Sequence, residues 1–296
     1  MRVASVALLV AFVPSVALAE DTFQGDVALA ATRFKADTQR SDFVGLGGNW
    51  FFAPLPVDPK DYPLNEVAFV ERVGFVNAAY SWISSDIDNE QRLSNGSSFN
   101  ATARLRQPGS PWVATVSAGV ADSGKFRGSS SDNRTKTTFY TLDLGAYVAK
   151  ATTLSLAWSQ SKADFTASGP APSTSTDTFT ALGVSGRHLA YLPNGEHVAI
   201  TAAISQIRHE QPAAPTAKNN DFSLVAIYYP SKSLGLTLGA STNRGDDSFN
   251  EGETYTAGAQ KFFTPLFSVS LTYQHFDAKA ANGDNNIVNL QAALRF

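Results

Sequence analysis

The chain has 296 residues, a net charge of −3, no Cys, and 43% hydrophobic and 11% aromatic residues. Absence of Cys excludes disulfides, thiolate chemistry and Cys-ligated metals, and the acidic balance argues against a nucleic-acid partner. A mean hydropathy of −0.12 looks like that of a soluble protein, but a membrane β-barrel also averages to such a value, because polar lumen-facing residues dilute its apolar ones.

Residues 1–19, MRVASVALLVAFVPSVALA, have the form of an export signal. Arg2 supplies a positive start, Val6–Val13 a short apolar run, and Ala17-Leu18-Ala19 the small-x-small pattern that a signal peptidase cuts after. The run is too short to cross a bilayer core of about 30 Å as a helix, and Pro14 interrupts it. The expectation is a cleaved signal peptide over 1–19 and one domain over 20–296. No later stretch approaches the ~20 consecutive apolar residues of a membrane helix. A membrane role would therefore need a barrel.

Beyond the leader, short alternating runs predict fourteen strands: Phe23–Lys35, Phe43–Ala53, Glu71–Ser84, Ser97–Gln107, Pro111–Ala121, Thr137–Ala149, Thr152–Ala163, Asp177–Tyr191, Glu196–His209, Asn220–Tyr229, Ser233–Asn243, Glu253–Phe263, Leu266–Asp277 and Asn286–Phe296. Connections after the odd strands are mostly long and polar, such as Asp122–Lys136 and Glu210–Asn219. Those after the even strands are mostly clipped, such as Gln107-Pro108-Gly109-Ser110 and Thr264-Pro265, where Pro and Gly set tight turns. Long external loops alternating with short periplasmic turns are what a membrane barrel produces. Two connections break the scheme: Ala36–Asp42 is short and Pro54–Val70 is long.

The faces are cleanest in the second half of the chain. Leu234, Leu236 and Leu238 oppose Gly235, Thr237 and Gly239, and Phe267, Val269 and Leu271 oppose Ser268, Ser270 and Thr272. Aromatic residues gather near strand ends, including Trp50, Phe51, Phe52, Trp112, Tyr228, Tyr229, Phe262, Phe263 and Phe296, as in the two girdles of a transmembrane barrel. A soluble sandwich or lipocalin-like fold would show the same alternation with the apolar face inward. The polar faces, however, are built from Gly, Ser, Thr, Asn and Gln rather than the Lys and Glu of a solvated exterior. Fourteen strands also exceed what a small soluble barrel uses.

The last strand, NIVNLQAALRF, alternates and stops on Phe296. This is similar to the closing strand of bacterial outer-membrane barrels, where it serves as the assembly signal. With the leader and the barrel-length remainder, the chain resembles bacterial outer-membrane porins over its whole mature length. A narrower likeness lies in Pro63-Leu64-Asn65-Glu66-Val67-Ala68-Phe69-Val70-Glu71-Arg72, which resembles the Pro-Leu-x-Glu-x-Ala-Phe-x-x-Arg stretch of the proteobacterial general-porin families. The preferred reading of that stretch is a fixed turn with Glu66 and Arg72 pairing locally; the competing one is a partial plug of the periplasmic mouth. The resemblance implies an all-β, antiparallel up-and-down transmembrane barrel of fourteen strands, with 12 or 16 also open and both termini periplasmic. It also implies a Gram-negative outer-membrane location among lipid and lipopolysaccharide. The partners it implies are the barrel-assembly machinery acting on the C-terminal strand and small hydrophilic solutes, with a homotrimer as one assembly it allows.

Charge inside a barrel strand defaults to the lumen, because a charged side chain facing lipid costs about 2–4 kcal/mol at the midplane. By parity, Asn77, Arg104, Arg106, Asp143, Arg187 and Arg295 become pore-lining candidates. They would bias ion flow, with a faint anion preference from the arginines. The competing reading is a closed lumen filled by pairs such as Arg104 with Asp143. In the third outer loop, Lys125, Arg127 and Arg134 are constriction candidates by resemblance to general porins. No Gly-x-Ser-x-Gly elbow or His-Glu-x-x-His site occurs. His275 and Asp277 share the face of Phe267 and Leu271, which points them away from the lumen. Asp246, Asp247, Glu251 and Glu253 lack EF-hand spacing and read as a solvated loop. The expectation is a passive diffusion porin, neither an enzyme nor a cofactor or metal protein. A closed barrel with a structural or adhesion role is the alternative.

Overall fold

A computed structural model describes residues 21–36, 39–87, 92–127, 132–168, 173–212, 214–246, 251–278 and 284–296. The leader expected over 1–19 lies outside them, as does Asp247 of the acidic loop. Strands β1 (Thr22–Lys35) and β2 (Gln39–Pro56) lead to a 3-10 turn, Leu64–Glu66, and the one-turn helix α1 (Val67–Val70). Then come β3 (Phe75–Ile87), β4 (Arg92–Arg106), β5 (Trp112–Asp122), the two-residue β6 (Phe126–Arg127), β7 (Asp132–Ala149), β8 (Thr152–Ser168) and β9 (Ser173–Tyr191). The chain ends with β10 (His197–Gln211), β11 (Ala214–Ser231), β12 (Leu234–Gly245), β13 (Gly252–Thr264), β14 (Phe267–Ala278) and β15 (Asn285–Arg295).

The long strands pair antiparallel with their sequence neighbours, β5 pairs with β7 past the small β6, and β15 pairs with β1. The result is a closed fourteen-strand antiparallel barrel, so all fourteen predicted strands are present. The end that carries the start of β1, the end of β15 and the connection from β2 to β3 is called the near end; the other is the far end. Several strands run further than predicted, most of all at the far end, although β2 also runs on to Pro56 at the near end. β7 begins at Asp132 instead of Thr137, β8 ends at Ser168 instead of Ala163, and β11 begins at Ala214 instead of Asn220. Much of what reads as external loop is thus strand. The third strand departs the other way: it starts at Phe75, since Glu71 and Arg72 belong to a turn after α1.

Which face looks outward is settled by exposure. Leu154, Leu156, Leu182, Leu224, Leu238 and Leu290 are all exposed. Their strand neighbours of opposite parity include Ser155 and Gly183, which meet Ser185 and Ala157 across the sheet. Contiguous apolar exterior on this scale belongs to a protein solvated by lipid. No described helix is long and apolar enough to cross a membrane.

The seam between first and last strands has ten paired positions, from Asp26 opposite Arg295 to Lys35 opposite Asn286. Phe296 extends it. Its N–H donates to the Gly25 carbonyl at 2.9 Å, and its own carbonyl accepts from Gln24 and Gly25 at 2.8 and 2.9 Å. β1 shifts register between Phe23 and Gly25, and the Phe296 ring lies over the latter. A Cβ on Gly25 would stand 2.7 Å from that ring, so any larger residue there must displace the ring from its place over the seam. Gly25→Val is expected to loosen closure. On semi-native gels the folded, fast-migrating form should dissociate at a temperature lower by several degrees; an unchanged transition would show that the ring simply moves aside.

A plugged polar lumen as the candidate functional site

A fourteen-strand barrel is too wide for inward side chains to fill, and here the inward residues are mostly small. Buried apolar side chains accordingly collect in one place. Phe51, Leu55, Tyr62, Val67, Phe69, Tyr147 and Tyr229 belong to one cluster at the near end, and the chain between β2 and β3, residues 57–74, lies at its centre. This segment touches strands all around the ring. Glu66 meets Arg187 on β9 and Tyr229 on β11. The Leu64 carbonyl accepts from Arg295 on β15 at 2.9 Å, and the Phe69 carbonyl from Tyr147 on β7 at 3.0 Å. The Asp61 carbonyl lies 2.9 Å from His197 Nε2 on β10. A segment that reaches β7, β9, β10, β11 and β15 at once must sit inside the mouth.

Glu66 has no solvent exposure. Arg187 Nη2 donates to both of its carboxylate oxygens at 2.6 Å, and the Tyr229 hydroxyl donates to Oε1 at 2.6 Å. The Arg187 guanidinium also lies 4.8 Å from the centre of the Phe69 ring, a cation–π contact that packs the pair against α1. A second interaction closes the segment on itself: Tyr62 donates its hydroxyl to Glu71. Burial and that carboxylate push the Tyr62 phenol above its usual range, so it remains a donor. Arg72 ends the turn at φ 57°, a left-handed conformation for a non-glycine residue. Arg106 Nη1 donates to the Arg72 carbonyl at 2.6 Å and Arg72 Nη2 to the Ala149 carbonyl at 2.9 Å, which together hold it there.

Beyond the plug the lumen is polar and hollow. A cavity of about 440 Å³ is lined by Asp26, Asn49, Asn65, Asn77, Asn100 and Arg295 among others. Nearer the far end, one of about 640 Å³ is lined by Thr141, Ser159, Ser161 and Asn243 together with Phe139, Phe179, Ile207 and Phe276. Neutral rungs cross-link the wall: Ser81 with Ser98 at 2.7 Å, Thr102 with Ser117 at 2.9 Å, Ser155 with Ser185 at 2.8 Å. Such pairs keep side chains flat against the sheet and leave the centre to water.

The model of the family described as putative general bacterial porin matches residues 1–296. The chain belongs to this porin family. Among solved structures, it is similar to the outer membrane protein Omp33 of Acinetobacter baumannii, at 15% identity and a TM-score of 0.58, covering 93% of this chain and 99% of that one. That likeness shows a shared fold. The Pseudomonas putida toluene transporter TodX aligns at 8% identity and a TM-score of 0.46, over 93% of this chain and 88% of that one. No curated protein matches the chain. Family and fold together support an outer-membrane, channel-like barrel.

In this porin the local Glu66–Arg72 pair expected for the motif does not form. Glu66 is taken by Arg187 and Tyr229, which the parity of their strands points inward. The cross-wall pair of Arg104 with Asp143 is also absent among the described residues; Arg104 Nη2 donates to the Tyr147 hydroxyl at 2.9 Å instead. Asn77 Nδ2 donates to Asn49 Oδ1 and to the Gly48 carbonyl. Asp143 stands opposite Thr115 and Ala157, in the same cross-strand row as Arg104. Arg295 is clamped between the Phe23 and Phe262 rings, 4.6 Å from each.

Of the third-loop candidates, Arg134 lies in β7 and pairs with Asp122 at the end of β5, Lys125 is exposed, and Arg127 sits in β6 opposite Asp132. They prolong the β5–β7 hairpin along the wall. His275 shares the outward face of Tyr273 and Leu271, with its Nδ1 3.1 Å from Asn286 Oδ1.

The girdle also needs amendment. Trp50, Phe52, Trp112, Tyr228, Phe263 and Phe296 are exposed at the near end, but Phe51, Tyr229 and Phe262 are buried inward. Parity would have separated them, since Trp50-Phe51-Phe52, Tyr228-Tyr229 and Phe262-Phe263 alternate in face. Removing one partner of a buried ion pair costs about 3–5 kcal/mol. Glu66→Ala should therefore free the 57–74 segment. Trypsin added to folded protein in micelles should then cut after Lys60 or Arg72 at least tenfold faster than in the wild type; equal rates would show that the pair does not hold the segment.

Proposed function

We propose that this chain is an outer-membrane channel for small hydrophilic solutes and ions, narrowed at its periplasmic mouth by residues 57–74. The observation that carries the reading is a hollow lumen whose wall is rich in small polar side chains, interrupted towards the far end by Phe139, Phe179, Ile207 and Phe276, and which encloses cavities of about 440 and 640 Å³. Such a lumen offers hydrogen bonds to water and to polar solutes along most of its length. In this reading the near end faces the periplasm, so both termini lie there, the leader is removed on export, and β15 ending on Phe296 is the strand the assembly machinery recognises. The exterior sits among lipid and lipopolysaccharide, and a homotrimer is the assembly we expect. The protein carries solutes and performs no chemistry on them.

One observation favours the second reading, a closed barrel serving a structural or adhesive role: the plug is held from strands on every side. The two part in planar bilayers. A channel should give small stepwise conductances in the wild type and larger or longer ones in Glu66→Ala. Silence in both proteins would leave only the closed barrel.

Selectivity is the finer expectation. Arg104, Arg106, Arg187 and Arg295 line the narrow end, against Asp26 and the paired Glu66. Under a salt gradient the reversal potential should show anion preference, and Arg104→Ala should move it toward zero. An unmoved potential would take Arg104 out of the permeation path.

A further inference from the structure

We infer that Arg72, Arg104 and Arg106, gathered around Tyr147, form a binding site for a small dissolved oxyanion, a phosphate or a carboxylate-bearing solute. Their guanidinium carbons lie 4.5, 5.9 and 5.9 Å from the centre of the Tyr147 ring. No two of them can then be more than about 12 Å apart, close to the Debye length of ~8–10 Å at moderate salt. Three permanent positive charges gathered around one ring repel one another, and their acceptors are neutral. Arg104 donates to the Tyr147 hydroxyl, Arg106 to the Arg72 carbonyl and Arg72 to the Ala149 carbonyl. Among the described residues no carboxylate lies within ion-pair distance of any of the three. Asp143 is in the same cross-strand row as Arg104, yet Arg104 turns from it toward Tyr147.

A second observation points to a missing partner. Arg106 Nε is buried and meets no acceptor. A guanidinium presents its five N–H groups in a fixed plane, so an oxyanion that satisfies one edge is met by two parallel donors. Arginine is suited to this because its fork matches the spacing of carboxylate and phosphate oxygens. The Tyr147 ring keeps the three groups gathered through cation–π attraction, its hydroxyl orients Arg104, and backbone carbonyls orient Arg72 and Arg106. A bound oxyanion would supply the charge that the neutral acceptors lack. The site deepens the channel reading by naming a solute class, but it does not require the barrel to conduct.

The test is calorimetric titration of inorganic phosphate into the full-length refolded protein in non-ionic, lipid-free micelles, with chloride at the same ionic strength as control. The wild type should bind phosphate with a Kd of about 1 mM or tighter. The Arg104→Ala/Arg106→Ala variant should weaken it at least tenfold, and Arg104→Lys/Arg106→Lys, which keeps the charge and loses the fork, should fall between. Heat-modifiability on gels confirms that each variant is folded, and the lysine pair serves where the alanine pair is not. Absent binding, equal affinity across the variants, or binding seen only when anionic phospholipid is added would each overturn the inference. Binding by a protein that is silent in bilayers would sink the channel reading and leave the site standing; conduction without binding would do the reverse.

Discussion

A carboxylate removed from water must be held by groups that replace water, and Glu66 is held by two residues from strands much later in the chain. Arg187 supplies the charge and two hydrogen bonds, and Tyr229 supplies a third. Neither partner is near Glu66 in sequence, so the pair exists only once the barrel has closed around the segment. The rest of the near end follows from this. With Glu66 fixed, α1 turns Val67, Phe69 and Val70 toward Phe51, Leu55 and Tyr147, and the only extensive apolar core among the described residues forms there. The burial of those side chains, not the ion pair alone, makes the arrangement favourable, because a buried pair gains little against a well-packed apolar alternative. What the pair adds is position. It ties the middle of the segment to strands on the far side of the ring and leaves one seating that satisfies every group.

The wall explains why such a segment is needed. Ser, Thr, Gly and Ala face inward along most strands, and their short hydroxyl rungs do not cross a fourteen-strand lumen. Six long side chains reach inward at the near end: Arg104, Arg106, Arg187, Arg295, Tyr147 and Tyr229. All six end on the plug or on one another. Chain and wall are therefore matched at one end and independent elsewhere, which leaves the central and far lumen hollow while the mouth is packed.

The strands were legible in the sequence because the period of two is a direct consequence of having lipid on one side and water on the other. It fades where that asymmetry ends. The nineteen residues of β9 extend about 60 Å at ~3.3 Å per residue, well past an apolar band of ~25 Å. Beyond the band both faces are wet, so Ser173-Thr174-Ser175-Thr176 reads as loop although it is paired with β8. The length of Pro54–Val70 was visible as an anomaly, and the motif at Pro63–Arg72 as a likeness. Its docking was not, since nothing local tells Glu66 that its partner is Arg187 and not Arg72. Parity did place Arg104, Arg106, Arg187 and Arg295 on one face. It could not show that the plug brings Arg72 to join two of them.

That convergence bears on how a narrowed mouth could favour one class of solute. Arg187 spends its charge on Glu66, and Arg295 lies between two aromatic rings with Asp26 opposite it in the ladder. Arg72, Arg104 and Arg106 are bound only to neutral acceptors. The positive potential of the mouth is therefore lopsided, strongest on the β4–β7 side and weak across the ring. In the proposed channel, a passing anion would meet the arginines from one side, with the neutral rungs of the wall on the other. Neutral, hydrated walls keep the desolvation cost low, and a one-sided charge attracts without enclosing. Because Arg106 holds the carbonyl of Arg72 at the end of the plug, the same guanidinium that meets the anion also fixes the segment that narrows its path. Binding and constriction then share a residue, and a change at Arg106 cannot alter one without touching the other.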